Sequence, residues 1–110
     1  MGVRYANRVD DNQALLVELW RRMGASVLIL SAVGKGCPDV LVGINGLNAL
    51  VEIKDGSKIP SKQKLNALEE EFHEKWRGHV CVIKNEQEAA QLIYKMRDKN
   101  GTEFMLQRTY

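Results

Sequence analysis

The 110-residue chain carries only two cysteines, Cys37 and Cys81, and they do not form a CxxC pair. That pattern leaves no disulfide framework and disfavours a zinc site; it reads as two reduced thiols in a cytosolic protein. No apolar run approaches the roughly 18 residues of a membrane span, so none is expected. The opening MGVRYANRVDDNQ is polar, without the hydrophobic stretch of a secretory signal, and its Met-Gly start is poor support for acylation. Charge of one sign is also scarce. A net charge of +2 is compatible with nucleic-acid binding but far from the basic balance that would argue for it alone. No GxxxxGK[ST] loop and no Ser-His-Asp or Cys-His arrangement is present, so hydrolases of those classes are unsupported.

What remains is ordinary globular material, 45% apolar and 27% charged. It is enough for one domain over residues 1–110, with a core at about 10–97 and a tail at 98–110. DDNQALLVELWRRM (10–23) predicts an amphipathic helix, capped by Asp10 or Asp11 and stopped by Gly24, with Leu16, Leu19, Trp20 and Met23 inward. SVLILS (26–31) reads as a strand, and AVGKG as a loop whose glycines permit positive φ or a close backbone approach. DVLVGI (39–44) and LNALVEIK (47–54) read as strands joined by Asn45-Gly46, a strong hairpin signal. Ser61 is expected to cap a helix through about Trp76, with Leu65, Leu68, Phe72 and Trp76 along one stripe. HVCVIK (79–84) is a further strand. Asn85 with Glu88 opens a last helix, with Ala89, Leu92, Ile93 and Met96 inward. A second Asn-Gly, at 100–101, precedes a tail that forms a short strand or stays loose. The order α-β-β-β-α-β-α predicts an α/β fold with a mixed sheet flanked by helices.

The hairpin raises a chemical question. A two-residue turn at Asn45-Gly46 pairs Ile44 with Leu47, and stepping back along both strands pairs Leu41 with Leu50 and Asp39 with Glu52. Alternation then places Val40, Val42, Ile44, Leu47, Ala49 and Val51 on one dry face, and Asp39, Glu52 and Lys54 on the other. Leu41 and Leu50 imply that this second face is covered too. Directly opposed carboxylates, roughly 5 Å apart at Cβ, repel by about 3 kcal/mol at an effective dielectric near 20. A shared proton, a bound cation or Lys54 can relieve that repulsion. Lys54 cannot easily sit between the two, which favours an all-oxygen site for Mg²⁺ or Mn²⁺ rather than zinc.

These residues resemble a known family. GCPDVLVG followed by LVEIK is similar to the PD-(D/E)XK nuclease signature, and SKQKLNALEEEFHEKWRGHVCVIKN with EQEAA resembles the VRR-NUC group, the virus-type replication-repair nucleases, in its small stand-alone form. The resemblance spans roughly residues 10–93 and implies a restriction-endonuclease-like core with metal-dependent cleavage of DNA. By that resemblance Asp39 and Glu52 would be metal ligands with the Ile53 carbonyl, and Lys54 would orient water or steady the phosphate. Gln13 stands where relatives often carry a metal-facing Glu, and Glu69 where some carry Gln. Stand-alone members resemble homodimers acting on branched DNA such as four-way junctions; nicking, flap or duplex cleavage, or binding without cleavage, stay open.

Around the site, Lys62 and Lys64 are expected in the first turn of the second helix, where a phosphate would be favoured. Lys35 and Lys58 are further candidates for contacting the DNA backbone. His73 reads as a surface or subunit-contact residue, Trp76 and His79 as packing, and Cys37 as a small filler.

Overall fold

The computed structural model describes residues 4–98, with side chains from residue 12 onward. The second Asn-Gly and the tail lie outside the described residues.

Helix α1 (Arg4–Arg22) leads into β1 (Ser26–Ile29), β2 (Val40–Ile44) and β3 (Leu47–Ile53). Then come α2 (Pro60–Gln63), α3 (Ala67–Lys75), β4 (Val80–Ile83) and α4 (Glu86–Met96). The sheet order is β1-β2-β3-β4; the first three strands are antiparallel, and β4 joins β3 in parallel through the α2–α3 crossover. The expected mixed sheet is therefore what forms.

Its register follows from the turn. Asn45 (φ 58) and Gly46 (φ 77) both take left-handed backbone, the primed turn that matches strand twist. Ile44 pairs with Leu47, Leu41 with Leu50 and Val40 with Val51. Val40, Val42, Ala49 and Val51 are fully buried on the face that packs against α1 and α4. Leu16, Val17 and Trp20 of α1 meet Ala89, Leu92, Ile93 and Met96 of α4 in the same core. The Trp20 indole N–H donates to the Ala89 carbonyl at 3.0 Å, so this large ring is buried without an unpaired donor.

Four expectations need correction. First, α1 starts at Arg4, so Asp10 and Asp11 stand well inside it rather than at its cap. RYANRV contains neither Gly nor Pro, and nothing in it stops the helix from extending backwards. Second, the helix expected from Ser61 to Trp76 is broken. Lys64 (φ −84, ψ 153) is extended, and Asn66 caps a new helix by accepting the Glu69 amide while Glu69 takes the Asn66 N–H. A capping residue must itself leave helical geometry, so the Asn66–Glu69 capping box enforces the interruption. At α2 it is Pro60 that fills the first turn, after Ile59; Ser61 is not the cap.

Third, the buried face of α3 is not the apolar stripe. Leu68 is 58% and Trp76 42% exposed, whereas His73 is 1% exposed. Glu69 and His73 lie one turn apart on the face turned inward, so His73 is a buried residue rather than a surface one. Phe72 and Trp76 stack on each other, ring centroids 5.3 Å apart, along the outer side. Fourth, the second sheet face is only partly covered: Leu50 is buried, Leu41 half-buried and Leu28 exposed.

No helix among the described residues is long and apolar enough to cross a membrane.

Candidate functional site

The site forms where β2 begins and β3 ends, on the sheet face opposite the core. Asp39 immediately precedes β2. Its carbonyl accepts the Leu30 amide at 2.8 Å, which extends the β1–β2 pairing, and its Oδ2 accepts the Ile53 amide at 2.7 Å. This second bond crosses to β3 and fixes the Asp39 carboxylate beside Glu52. Glu52 is 4% exposed, on a strand whose next residues are Ile53 and Lys54.

Charge in so dry a place is unfavourable, and the proton affinities record it. Burial, then the charges of Asp39 and Glu69, push the Glu52 carboxyl up to about 9. Burial also raises Asp39, against the opposing pull of the Ile53 amide and a hydrogen bond with Glu52. In the protein free of metal, burial and mutual repulsion therefore favour a proton on this pair.

Lys54 supplies the cation. Its Nζ lies 2.9 Å from Glu69 Oε1 and 3.6 Å from Glu52 Oε2, with Lys54 and Glu69 side chains about five-sixths out of water. Burial opposes the ammonium, but the Glu69 hydrogen bond and the surrounding carboxylates outweigh it and hold its affinity above the usual lysine value. Burial likewise opposes the Glu69 carboxylate, yet the Asn66 amide and Lys54 keep it below the usual range. Glu69 thus does two jobs, closing the α3 capping box and gripping Lys54. This pair differs in kind from Lys75–Glu71, an i,i+4 pair that stands largely in solvent.

The loop before Asp39 brings α3 into place. Gly34, Lys35 and Gly36 all have positive φ (78, 56 and 81). A Cβ on Gly36 would lie 2.3 Å from the Leu68 carbonyl oxygen, so only glycine lets this loop press against the first turn of α3. Cys37 follows, half-buried; burial, then Glu52 and Asp39, push its thiol affinity up, which leaves it protonated and inert.

Of the residues singled out in the sequence, Asp39, Glu52, Lys54 and Glu69 come together. Gln13 is buried but donates to Ser31 Oγ at 3.4 Å rather than to either carboxylate. Lys35 sits apart, lining a recess of about 360 Å³ beside Leu68 and Phe72 of α3 and the following Trp76. Lys58, Lys62 and Lys64 are exposed on the segment after β3. Lys62 belongs to a helix of four residues and Lys64 to the extended link behind it, so neither occupies the first turn of α3. Asn12 went unnoticed in the sequence. Its amide donates to the Lys54 carbonyl at 2.8 Å and to the Lys84 carbonyl at 3.4 Å. Its only signal there is its place one turn ahead of Leu16, a polar residue at the start of an apolar stripe.

Two carboxylates and a backbone carbonyl on neighbouring strand ends make an open, all-oxygen donor set. It fits a hard divalent cation that keeps part of its water shell, and nothing in it favours zinc. Among the described residues no group of three or more His, Cys, Asp or Glu side chains is placed to hold a metal ion.

No protein-family model and no curated protein matches the sequence. A solved structure described as a VRR_NUC domain does match, at 27% identity and a TM-score of 0.60, over 78% of this chain and 94% of that one. The shared architecture is a restriction-endonuclease-like α/β core with a four-stranded mixed sheet flanked by helices. That likeness, with Pro38-Asp39 and Glu52-Ile53-Lys54 at the paired strand ends, supports a VRR-NUC domain.

Proposed function

We propose that this chain is a divalent-metal-dependent endonuclease that hydrolyses DNA phosphodiester bonds, with a preference for branched substrates such as four-way junctions. The observation that carries the reading is the convergence of Asp39, Glu52 and Lys54 at one end of the β2–β3 pair, on a face that leaves two carboxyls short of solvent. The likeness to the VRR_NUC domain supports it independently.

Asp39 and Glu52, with the Ile53 carbonyl, would hold Mg²⁺ or Mn²⁺; when bound, such an ion supplies Lewis-acid polarisation of the phosphoryl group. The protein's own residues do the rest. Asp39 is oriented by the Ile53 amide, which holds its Oδ2. Glu52 must release its proton before it can serve as a full anion. Lys54 keeps an ammonium beside Glu52, where it steadies negative charge that grows on the phosphate in the transition state and helps orient the attacking water. Glu69 holds that ammonium in place. Gln13, tied to Ser31, adds no charge to the site.

Lys35, Lys58, Lys62 and Lys64 would contact phosphates, which reads DNA shape more than sequence. A homodimer would offer two such sites to the symmetric strands of a junction. Exposed Leu28, Ile29 and Val33 around the β1 edge support a second copy covering that side.

Labelled four-way junctions, flaps, nicked duplexes and linear duplexes, incubated with Mg²⁺, Mn²⁺ or EDTA, test the reading. Metal-dependent cuts concentrated near the branch are expected. Equal cutting of linear duplex would replace branch selectivity with general duplex cleavage, and binding without cuts under any metal would leave a DNA-binding module.

A further inference from the structure

The backbone of Lys54 is pinned on both sides of its Cα. Its N–H donates to the Ile83 carbonyl at 3.0 Å, the last rung joining β3 to β4. Regular pairing of β3 ends at Ile53, and the Lys54 carbonyl takes the Asn12 amide at 2.8 Å instead. The same amide reaches the Lys84 carbonyl at 3.4 Å, and that carbonyl also accepts the Gly56 N–H at 3.0 Å. One side chain on α1 thus closes the ends of two parallel strands, from positions 42 and 72 residues away in sequence. Beyond this clamp regular strand pairing ends and the chain turns into the Asp55–Lys58 loop.

We propose that Asn12 is a positioning residue for Lys54: by donating to the Lys54 and Lys84 carbonyls it fixes the backbone from which the ammonium reaches Glu69 and Glu52. The ammonium is held at its tip by α3 and at its root by α1 and β4. A lysine side chain rotates freely about its root, so a root that shifts moves the tip away from two carboxylates at once. Among the described residues, no other α1 side chain reaches the Glu52–Lys54 segment by a hydrogen bond. The catalytic consequence rests on the nuclease reading; the positioning itself does not.

The test uses Asn12→Asp, equal in size but an acceptor where donors are needed, together with Asn12→Ala. Both full-length variants are first compared with the parent by circular dichroism. Lysines are then labelled with an amine-reactive reagent, without metal or DNA, and read peptide by peptide by mass spectrometry. Lys54 is expected to label several-fold faster in both variants, with Lys58 and Lys62 unchanged as internal references. Cleavage of the best DNA substrate should fall about 10-fold in kcat with KM nearly constant, the signature of a group misplaced for the chemical step. Lys54 labelling at the parental rate in folded Asn12→Asp overturns the proposal. So does a general rise at all lysines, which marks mere loosening. If Asn12→Ala does not fold, the isosteric variant decides alone. If the parent cuts no DNA while Lys54 labelling responds, the nuclease reading has failed and the positioning role stands.

Discussion

Lys54 Nζ stands 2.9 Å from Glu69 Oε1 and 3.6 Å from Glu52 Oε2, bridging a helix and a strand that are brought together by the α2–α3 crossover. The ammonium is therefore preorganised before any substrate arrives. Replacing it, Lys54→Ala, should leave binding to branched DNA within about twofold and reduce cleavage by about 100-fold or more, the scale of one lost transition-state contact. Gel-shift and single-turnover assays on the same preparation measure the two. Unchanged turnover would remove Lys54 from the chemistry.

Glu69 separates stability from activity. Glutamine still serves in a capping box, so Glu69→Gln should keep the melting temperature within a few degrees while cleavage drops about 10-fold through a loosened Lys54. Glu69→Ala should lose the same activity and also about 1 kcal/mol from the cap, lowering Tm by about 5 °C. Identical melting losses in both variants would mean that the ion pair, not the cap, stabilises α3.

The Glu52 carboxyl gives a pH dependence with a definite sign. In the folded, metal-free chain it keeps its proton to about 9, against an ordinary 4.5 when unfolded. Between those values the folded state binds more protons than the unfolded one, so stability falls as pH rises. The stabilising contribution is complete below 4.5 and gone above about 9. In EDTA the parent should lose about 5–10 °C in Tm on going from pH 5 to pH 9 relative to Glu52→Gln, which cannot titrate there. Parallel melting curves for the two proteins across that range would contradict the assignment.

Much of the fold and the site was legible in the sequence because the signals were local. Asn45-Gly46 dictates a two-residue turn, the turn dictates register, and register alone puts Asp39 beside Glu52. The apolar stripes of α1 and α4 likewise mark the residues that fill the core, since their spacing matches a single buried helix face. The failures came where two local signals competed or a contact was long-range. Around α3, the apolar spacing of Leu65, Leu68, Phe72 and Trp76 suggested one helix, but the Asn66–Glu69 capping box won and turned His73 inward. Asn12 could not be placed because its partners lie at the ends of β3 and β4, and Gln13 faces Ser31 for reasons of tertiary packing that spacing does not carry.

Gly36 tests how α3 is held. With φ +81 and a would-be Cβ 2.3 Å from the Leu68 carbonyl oxygen, any side chain forces the loop and helix apart. Gly36→Ala should destabilise the domain by about 2 kcal/mol or more and lower Tm by roughly 10 °C. Because the shift carries Glu69 with it, cleavage assayed well below the new Tm should also fall. Gly34→Ala, with nothing within 4 Å of its Cβ, should cost only the backbone strain. Equal losses at both glycines would show that backbone conformation, rather than contact with α3, sets the requirement.

The proposed chemistry of the site requires Asp39 and Glu52 to form one cation-binding pair. Crystals soaked in Mn²⁺ and measured at the manganese absorption edge test this most directly. An anomalous peak between the two carboxyl groups, within coordination distance of the Ile53 carbonyl and lost in Asp39→Asn, is the predicted result. A fully occupied peak elsewhere, with the space between these side chains empty, would contradict it.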